Sequence, residues 1–319
     1  MSNRVRVGLI SAVVVLAFLL PGATDFMRWF PLLGVTLLIL LSSLELHRAL
    51  VRRLPELSLL PTILGLVSAL SPALIWLWYE DLTFWHNLPI GGTLPAQFLL
   101  NDAWLTNYVW LMGLGLAIYA GTFIFSQFLL GATRIVRGGP DRLPVVAVQI
   151  AAALTMSFPL AIVTLMLFAV PNGYKWLLYA FLIAVITDVS AYYVGSVMGK
   201  NTIVPNLSPK KTVEGFFGGL LMSALVSAIY FHFVMRGGVP QMEAALPNIG
   251  FGIGLGIVVS LASQINDWLA SGVKRWCKIK DFSRILGDHG GILDRCDSLI
   301  GAIPWAFLGS LVYYFIERQ

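Results

Sequence analysis

The sequence predicts an all-α fold: a polytopic integral membrane protein of about nine transmembrane helices with a cytoplasmic N-terminus. Three observations carry that prediction. The chain is 58% hydrophobic and 12% charged, with a mean hydropathy of +0.82, whereas soluble domains hold about 45–50% apolar residues. Apolar runs recur that are long enough to span a bilayer, which takes roughly 20 helical residues. The cations crowd into alternate polar breaks, and of 21 Lys and Arg only Arg28, Lys175, Arg236 and Arg318 fall on the opposite side. That asymmetry is the positive-inside pattern, and one helix added or missed would spoil it downstream.

Taken in order, residues 7–20 follow a short basic start and end at Pro21-Gly22, which reads as an uncleaved first helix rather than a signal peptide. A second segment, residues 29–46, completes a hairpin with it and leads to the basic break around Arg48, Arg52 and Arg53. The third, 57–79, precedes an outside break at 80–102 that holds three acids and no Lys or Arg. The fourth spans 105–130, and Arg134, Arg137 and Arg142 then surround a Gly-Gly-Pro turn. The fifth, 144–170, is long for one span, and Pro159 allows it to kink. The sixth (174–197) carries Asp188, a polar break at 200–215 leads to the seventh (216–235), the eighth (249–273) carries Asp267, and the ninth covers 298–316. The expected division is residues 1–143, helices one to four as scaffold and lipid access, and residues 144–319, helices five to nine with the cytoplasmic loops.

Chemistry concentrates in residues 271–298, where 28 residues hold six Lys or Arg, four Asp and the turn His289-Gly290-Gly291. A basic loop beside a span is commonly only a topology signal or a contact to anionic headgroups. Paired acids are not needed for that, and Asp294 and Asp297 share one helical face, as hard oxygen ligands suited to Mg²⁺. Lys274, Arg275, Lys280 and Arg295 are donors suited to phosphate. An acid inside an apolar helix costs roughly 2.5–3.5 kcal/mol, so Asp188 and Asp267 require partners or a wet cavity. Asp267, Ser271 and Lys274 lie on one face of the eighth helix, and Asp188 shares a face with Tyr192.

The segment from Ser208 to Gly215 reads as a loop entering the seventh helix, with Thr212 or Ser208 as cap and Glu214 in the first turn. Its functional reading is that Lys210, Lys211 and free N–H groups at the helix start hold phosphates. His289 either bonds within its own turn or touches phosphate or a metal-bound water. Cys277 and Cys296 lack CxxC spacing and read as reduced bystanders. Nothing resembles a nucleic-acid motif, and no Ser/His/Asp nucleophilic arrangement is apparent.

The pattern Ser271, Lys274-Arg275, Lys280-Asp281, Ser283, His289-Gly290-Gly291, Asp294-Arg295, Asp297 resembles the signature of the phosphatidate cytidylyltransferases, or CDP-diacylglycerol synthases. Ser208 to Gly215 and Thr187 to Tyr192 look like two further motifs of that family, so the resemblance covers about the last 135 residues. The resemblance implies transfer of CMP from CTP to phosphatidate, giving CDP-diacylglycerol and pyrophosphate in phospholipid biosynthesis, at the inner (plasma) membrane with the site facing the cytoplasm. It implies catalytic roles for Lys274, Arg275, His289, Asp294 and Arg295, substrate binding by Asp188, Ser208, Lys210, Lys211, Ser271 and Lys280, and Mg²⁺ on Asp267, Asp294 and Asp297. A second cation is left open, and a homodimer is expected. Asn266-Asp267 and Ala270 stand where a Gly-Asp pair and a downstream Glu are common, and Cys296 replaces an aliphatic residue, which leaves the exact lipid open. The rival readings are a CTP-dependent lipid kinase and, from another class, an ion-coupled transporter with Asp188 and Asp267 as coupling acids.

Overall fold

The computed structural model describes residues 28–76, 102–235, 245–287 and 290–316. The first expected segment, most of the acidic break at 80–102, and His289 lie outside the described residues.

Helix α1, Trp29–Val51, is the second expected segment. It runs beyond residue 46 and takes Arg48 into its last turn, because nothing breaks it before Pro55, which disfavours helix in the residue ahead of it. Helix α2, Leu60–Ala69, has a proline in its first turn and is followed by helical residues 71–76. Pro72 has no N–H for the carbonyl of Ser68, and the Ser71 hydroxyl donates to that carbonyl instead, at 2.7 Å. The resulting Leu60–Trp76 stretch is shorter than a membrane span. Helix α3, Asp102–Gly138, carries Arg134 and Arg137 on its final turns rather than in a loop. After a 3₁₀ turn at Pro140–Arg142 comes α4, Leu143–Ala169, with Pro159 inside it.

Helix α5 is Gly173–Met198, and the break after it, expected as a plain loop, is an antiparallel hairpin of β1, Thr202–Val204, and β2, Ser208–Thr212. Thr202, Ile203, Val204 and Thr212 are β-branched and favour the extended chain, and Pro205-Asn206 supplies the turn. Helix α6, Val213–Tyr230, continues as a π-helical turn, Phe231–Met235. Helix α7 is Ala245–Trp276 and α8 is Leu293–Ile316. Seven helices are long and apolar enough to cross a membrane among the described residues, so the fold is that of an all-α polytopic membrane protein with one small hairpin.

Among the described residues, contacts gather the chain into two compact units, one within residues 58–173 and the other of residues 28–57 with those from 174 onward. In the first, α2 packs on α3 and α4, and Thr164 Oγ1 donates to Ala69 O (3.2 Å) while Gln127 Nε2 donates to Pro61 O (2.9 Å). In the second, α6 packs on α7, α7 on α8, and α8 on α1. Small residues permit the close approach that membrane helices use in place of hydrophobic drive. A Cβ on Gly215 would lie 2.6 Å from Ala191 O, and one on Gly256 would lie 2.8 Å from Ser223 O. Hydroxyls join the same helices, with Thr187 Oγ1 at 2.8 Å from Ser223 Oγ and 3.0 Å from Ser260 Oγ.

Candidate active site

A cavity of about 580 Å³ opens among α5, the hairpin, the start of α6 and α7. Asp188 and Tyr192 of α5, Ser208, Lys210 and Lys211 of β2, and Asp267 of α7 line it. Local chemistry holds the hairpin over this cavity. Thr212 is the N-cap of α6, its Oγ1 accepting from Gly215 N at 3.1 Å. The Glu214 carboxylate folds back to accept from Lys200 N (3.1 Å), Asn201 N (3.3 Å) and Asn201 Nδ2 (3.0 Å), which closes the hairpin base onto the helix start. Helix α5 passes so near that a Cβ on Gly195 would sit 2.8 Å from Thr212 Oγ1.

Inside the cavity Lys211 Nζ meets Asp267 Oδ2 at 2.5 Å, both side chains about a quarter exposed. Asp188 of α5 and Asp267 of α7 line this one cavity, and Asp297 of α8 lies against α7 beside residue 266. Asp297 is 4% exposed and accepts from Ser298 N at 2.8 Å. Asn266, one of the departures from the family pattern, donates to Asp297 O at 2.6 Å and so fastens α7 to α8 beside these acids.

Lys274, Asp294 and the described residues of the loop between α7 and α8 form a second network. Lys274 Nζ donates to Asp294 Oδ1 at 2.7 Å in a largely buried pair, and Lys274 Nζ lies 5.3 Å from the centre of the Phe282 ring. The other oxygen, Asp294 Oδ2, accepts from Phe282 N (2.8 Å) and Gly291 N (2.9 Å). Gly290 stands at φ +81°, a left-handed conformation that favours glycine. Of the acids read as a ligand set, Asp267 takes Lys211 in the cavity, while Asp294 gives both oxygens to Lys274 and the loop backbone. Among the described residues no three His, Cys, Asp or Glu side chains form a group that could hold a metal ion by themselves.

Arg275 lies outside the residues that line the cavity. Its Nε donates to Leu207 O (3.0 Å) and its Nη1 to Ile279 O (3.3 Å), so it joins the hairpin turn to the loop instead of lining the cavity. Lys280 and Arg295 are exposed, Ser271 is buried in α7, and none of the three lines the cavity. Cys277 is buried, which pushes its thiol above the ordinary value, and Cys296 is also a free thiol.

One residue escaped the sequence reading. Glu45 of α1 is 1% exposed and accepts from Ser283 Oγ (2.5 Å), Ile292 N (3.0 Å) and Leu293 N (2.8 Å). Its signal was present, a carboxylate within an apolar run, but it lay at the edge of the assigned span.

Fold and site define an integral membrane protein whose cavity sets lysines beside hard carboxylates, the donor set of phosphate and divalent-ion chemistry. The chain matches the Cytidylyltransferase family over residues 2–313 and belongs to that family. It is similar to the phosphatidate cytidylyltransferase of Staphylococcus aureus (strain COL), 41% identical over 133 residues, 42% of this chain and 48% of that protein. The phosphatidate cytidylyltransferase of Staphylococcus epidermidis (strain ATCC 12228) is 43% identical over the same length and shares of both chains. That of Staphylococcus haemolyticus (strain JCSC1435) is 41% identical, again over 133 residues with the same coverage. The chain spans about half the length of the curated relatives it matches.

Proposed function

We propose that the protein transfers CMP from CTP to phosphatidate, forming CDP-diacylglycerol and pyrophosphate. One observation carries the reading beyond the family name. The polar cavity shares Trp268 with an apolar groove of about 510 Å³, lined by Leu207, Ile265, Leu269, Val273 and Trp276. A substrate with a phosphate head and acyl chains uses both halves. The distribution of Lys and Arg supports a cavity facing the cytoplasm at the inner membrane, where CTP is available.

Lys210 and Lys211 hold the triphosphate, with Lys211 exchanging Asp267 for a phosphate oxygen. Ser208 and Tyr192, on the same wall, orient the nucleotide. A phosphate oxygen of phosphatidate attacks the α-phosphorus of CTP, the bond to the α,β-bridging oxygen breaks, and pyrophosphate leaves. The lipid phosphate is the nucleophile, so the protein supplies positioning and charge. The donor set fits Mg²⁺, because Asp188 and Asp267 line the cavity as hard oxygen ligands and leave further positions to substrate phosphates and water. Asp267 and Asp188 are the residues that would hold it. Mg²⁺ is commonly bound by one or two carboxylates plus substrate phosphates, so a closed protein cage is not required. Bound there, the ion would supply charge neutralisation of the triphosphate, so that two polyanions could approach. Lys274 and Asp294 shape the loop beside the site, and a homodimer is part of the proposal.

The test is product analysis with the purified protein in lipid nanodiscs, given phosphatidate, CTP and Mg²⁺. CDP-diacylglycerol and pyrophosphate in equal amounts are expected. CDP with a newly phosphorylated lipid would replace this reading by a lipid kinase.

A further inference from the structure

We propose that Glu45 is a positioning residue: its buried carboxylate ties Ser283 to Ile292 and Leu293 in the arrangement that sets the Lys274–Asp294 pair, and turnover depends on that hold. The kinetic part rests on the cytidylyltransferase reading; the structural part does not.

Glu45 sits on α1, nearly 250 residues from its partners, since Glu45 and Leu293 differ by 248 positions. Its two oxygens take the Ser283 hydroxyl and the amides of Ile292 and Leu293. Those amides open α8, where unsatisfied N–H groups and the helix dipole favour an anion. Glu45 thus occupies from within the protein a position that phosphate would otherwise find attractive, and phosphate is left to the lysines of the cavity.

The carboxylate also accounts for the second glycine of the His-Gly-Gly turn. Gly290 is required by its positive φ, but Gly291 is required by space, because a Cβ there would overlap the Glu45 carboxylate. From Gly291 the order passes on: its amide donates to Asp294 Oδ2, and Asp294 Oδ1 takes Lys274. At the other end of the loop Arg53, just past α1, donates from Nε to Trp276 O at 2.6 Å with its guanidinium 6.0 Å from the Trp276 ring centre. One helix thereby grips the loop at residue 276 and again at residues 292–293.

The experiment compares wild type, Glu45→Gln, Glu45→Ala, Gly291→Ala and the Glu45→Ala/Gly291→Ala pair in nanodiscs, by hydrogen exchange and by steady-state kinetics with CTP and phosphatidate. Glu45→Gln keeps the volume but turns an NH₂ toward amide donors. Exchange at residues 292 and 293 should quicken by about 10–100-fold, the loss of a charge-assisted bond. kcat should fall by roughly 10–100-fold, as for residues that orient the groups next to a reaction, while KM for CTP stays nearly unchanged and the melting temperature holds. Gly291→Ala should cost far more in the wild-type background than in Glu45→Ala, because the two share one space. Unchanged exchange at 292–293, a kcat loss that only follows loss of folded protein, or equal cost of Gly291→Ala in both backgrounds would overturn the proposal. If Glu45→Gln does not fold, Ser283→Ala removes one donor of three and must show the same split on a smaller scale; no change in it overturns the proposal. A wild type that makes no CDP-diacylglycerol ends the cytidylyltransferase reading, and the exchange arm then decides the role of Glu45 alone.

Discussion

In the unit of residues 58–173 the buried polar side chains are hydroxyls and amides, Thr62, Ser68, Gln127, Gln149, Ser157 and Thr164, whereas the unit that holds α1 and α5–α8 buries Glu45 and Asp297 and sets Lys274 against Asp294. The first unit pairs much of its polarity locally and without charge, as when Ser71 donates to Ser68 O and Tyr119 bonds Ser157 at 2.9 Å. The second keeps charges where a bilayer makes them costly. That cost is offset where a charge has a distant partner: Lys211 reaches Asp267 across 56 positions, and Glu45 reaches Ser283 across 238. The contrast teaches that burial alone does not mark a site. What marks it is burial of charge held by groups far away in the chain.

The comparison is broken most severely by removing divalent ions. If the acids of the second unit serve a cation, complete chelation should abolish CDP-diacylglycerol formation, and excess Mg²⁺ should restore it; activity that persists would remove the ion from the scheme. Next in size, Asp294→Ala should lower kcat by about 100-fold, the upper scale for a residue that orients the groups beside a site. It should also loosen residues 282–291, read by tryptic cleavage at the exposed Lys280 and Arg284. Lys211→Met, which leaves Asp267 free of its cation, should raise KM for CTP by roughly 10–100-fold through loss of a charge-assisted bond. Thr212→Ala removes the cap of α6 and should cost about 1 kcal/mol of stability with a modest loss of CTP affinity, measured by thermal shift with and without nucleotide. Smallest in its effect on turnover is Leu160→Ala in α4, a fully buried side chain. It should destabilise by about 2–5 kcal/mol while kcat per folded molecule stays the same, and an altered kcat would show that the first unit does more than scaffold.

Much of the fold was legible. Trp29–Val51, Leu143–Ala169, Gly173–Met198 and Leu293–Ile316 all fall on apolar runs seen beforehand. Runs of that kind identify a helix by length and hydropathy, which are local properties. The Thr212 cap was legible for the same reason, since a cap involves only three residues of chain. The hairpin was not, because its strands have three and five residues and lie within a stretch already dominated by lysine. Of the site, Asp188, Lys210, Lys211 and Asp267 were named in advance and line one cavity. The bonds of Arg275 to the carbonyls of Leu207 and Ile279 were not legible, because Leu207 lies 68 positions away in the chain. Glu45 went unseen because its partners lie in a different part of the sequence.

By itself the sequence determined that the chain enters a membrane, where its helices run, and which residues carry charge into them, because hydrophobic length and local capping are settled within a few turns. The tertiary structure alone decided which carboxylate meets which cation: Asp267 with Lys211, Asp294 with Lys274, and Glu45 with the first amides of α8. An ion pair needs its members within about 4 Å, and no pattern of spacing along a chain reports how helices hundreds of residues apart come to lie side by side.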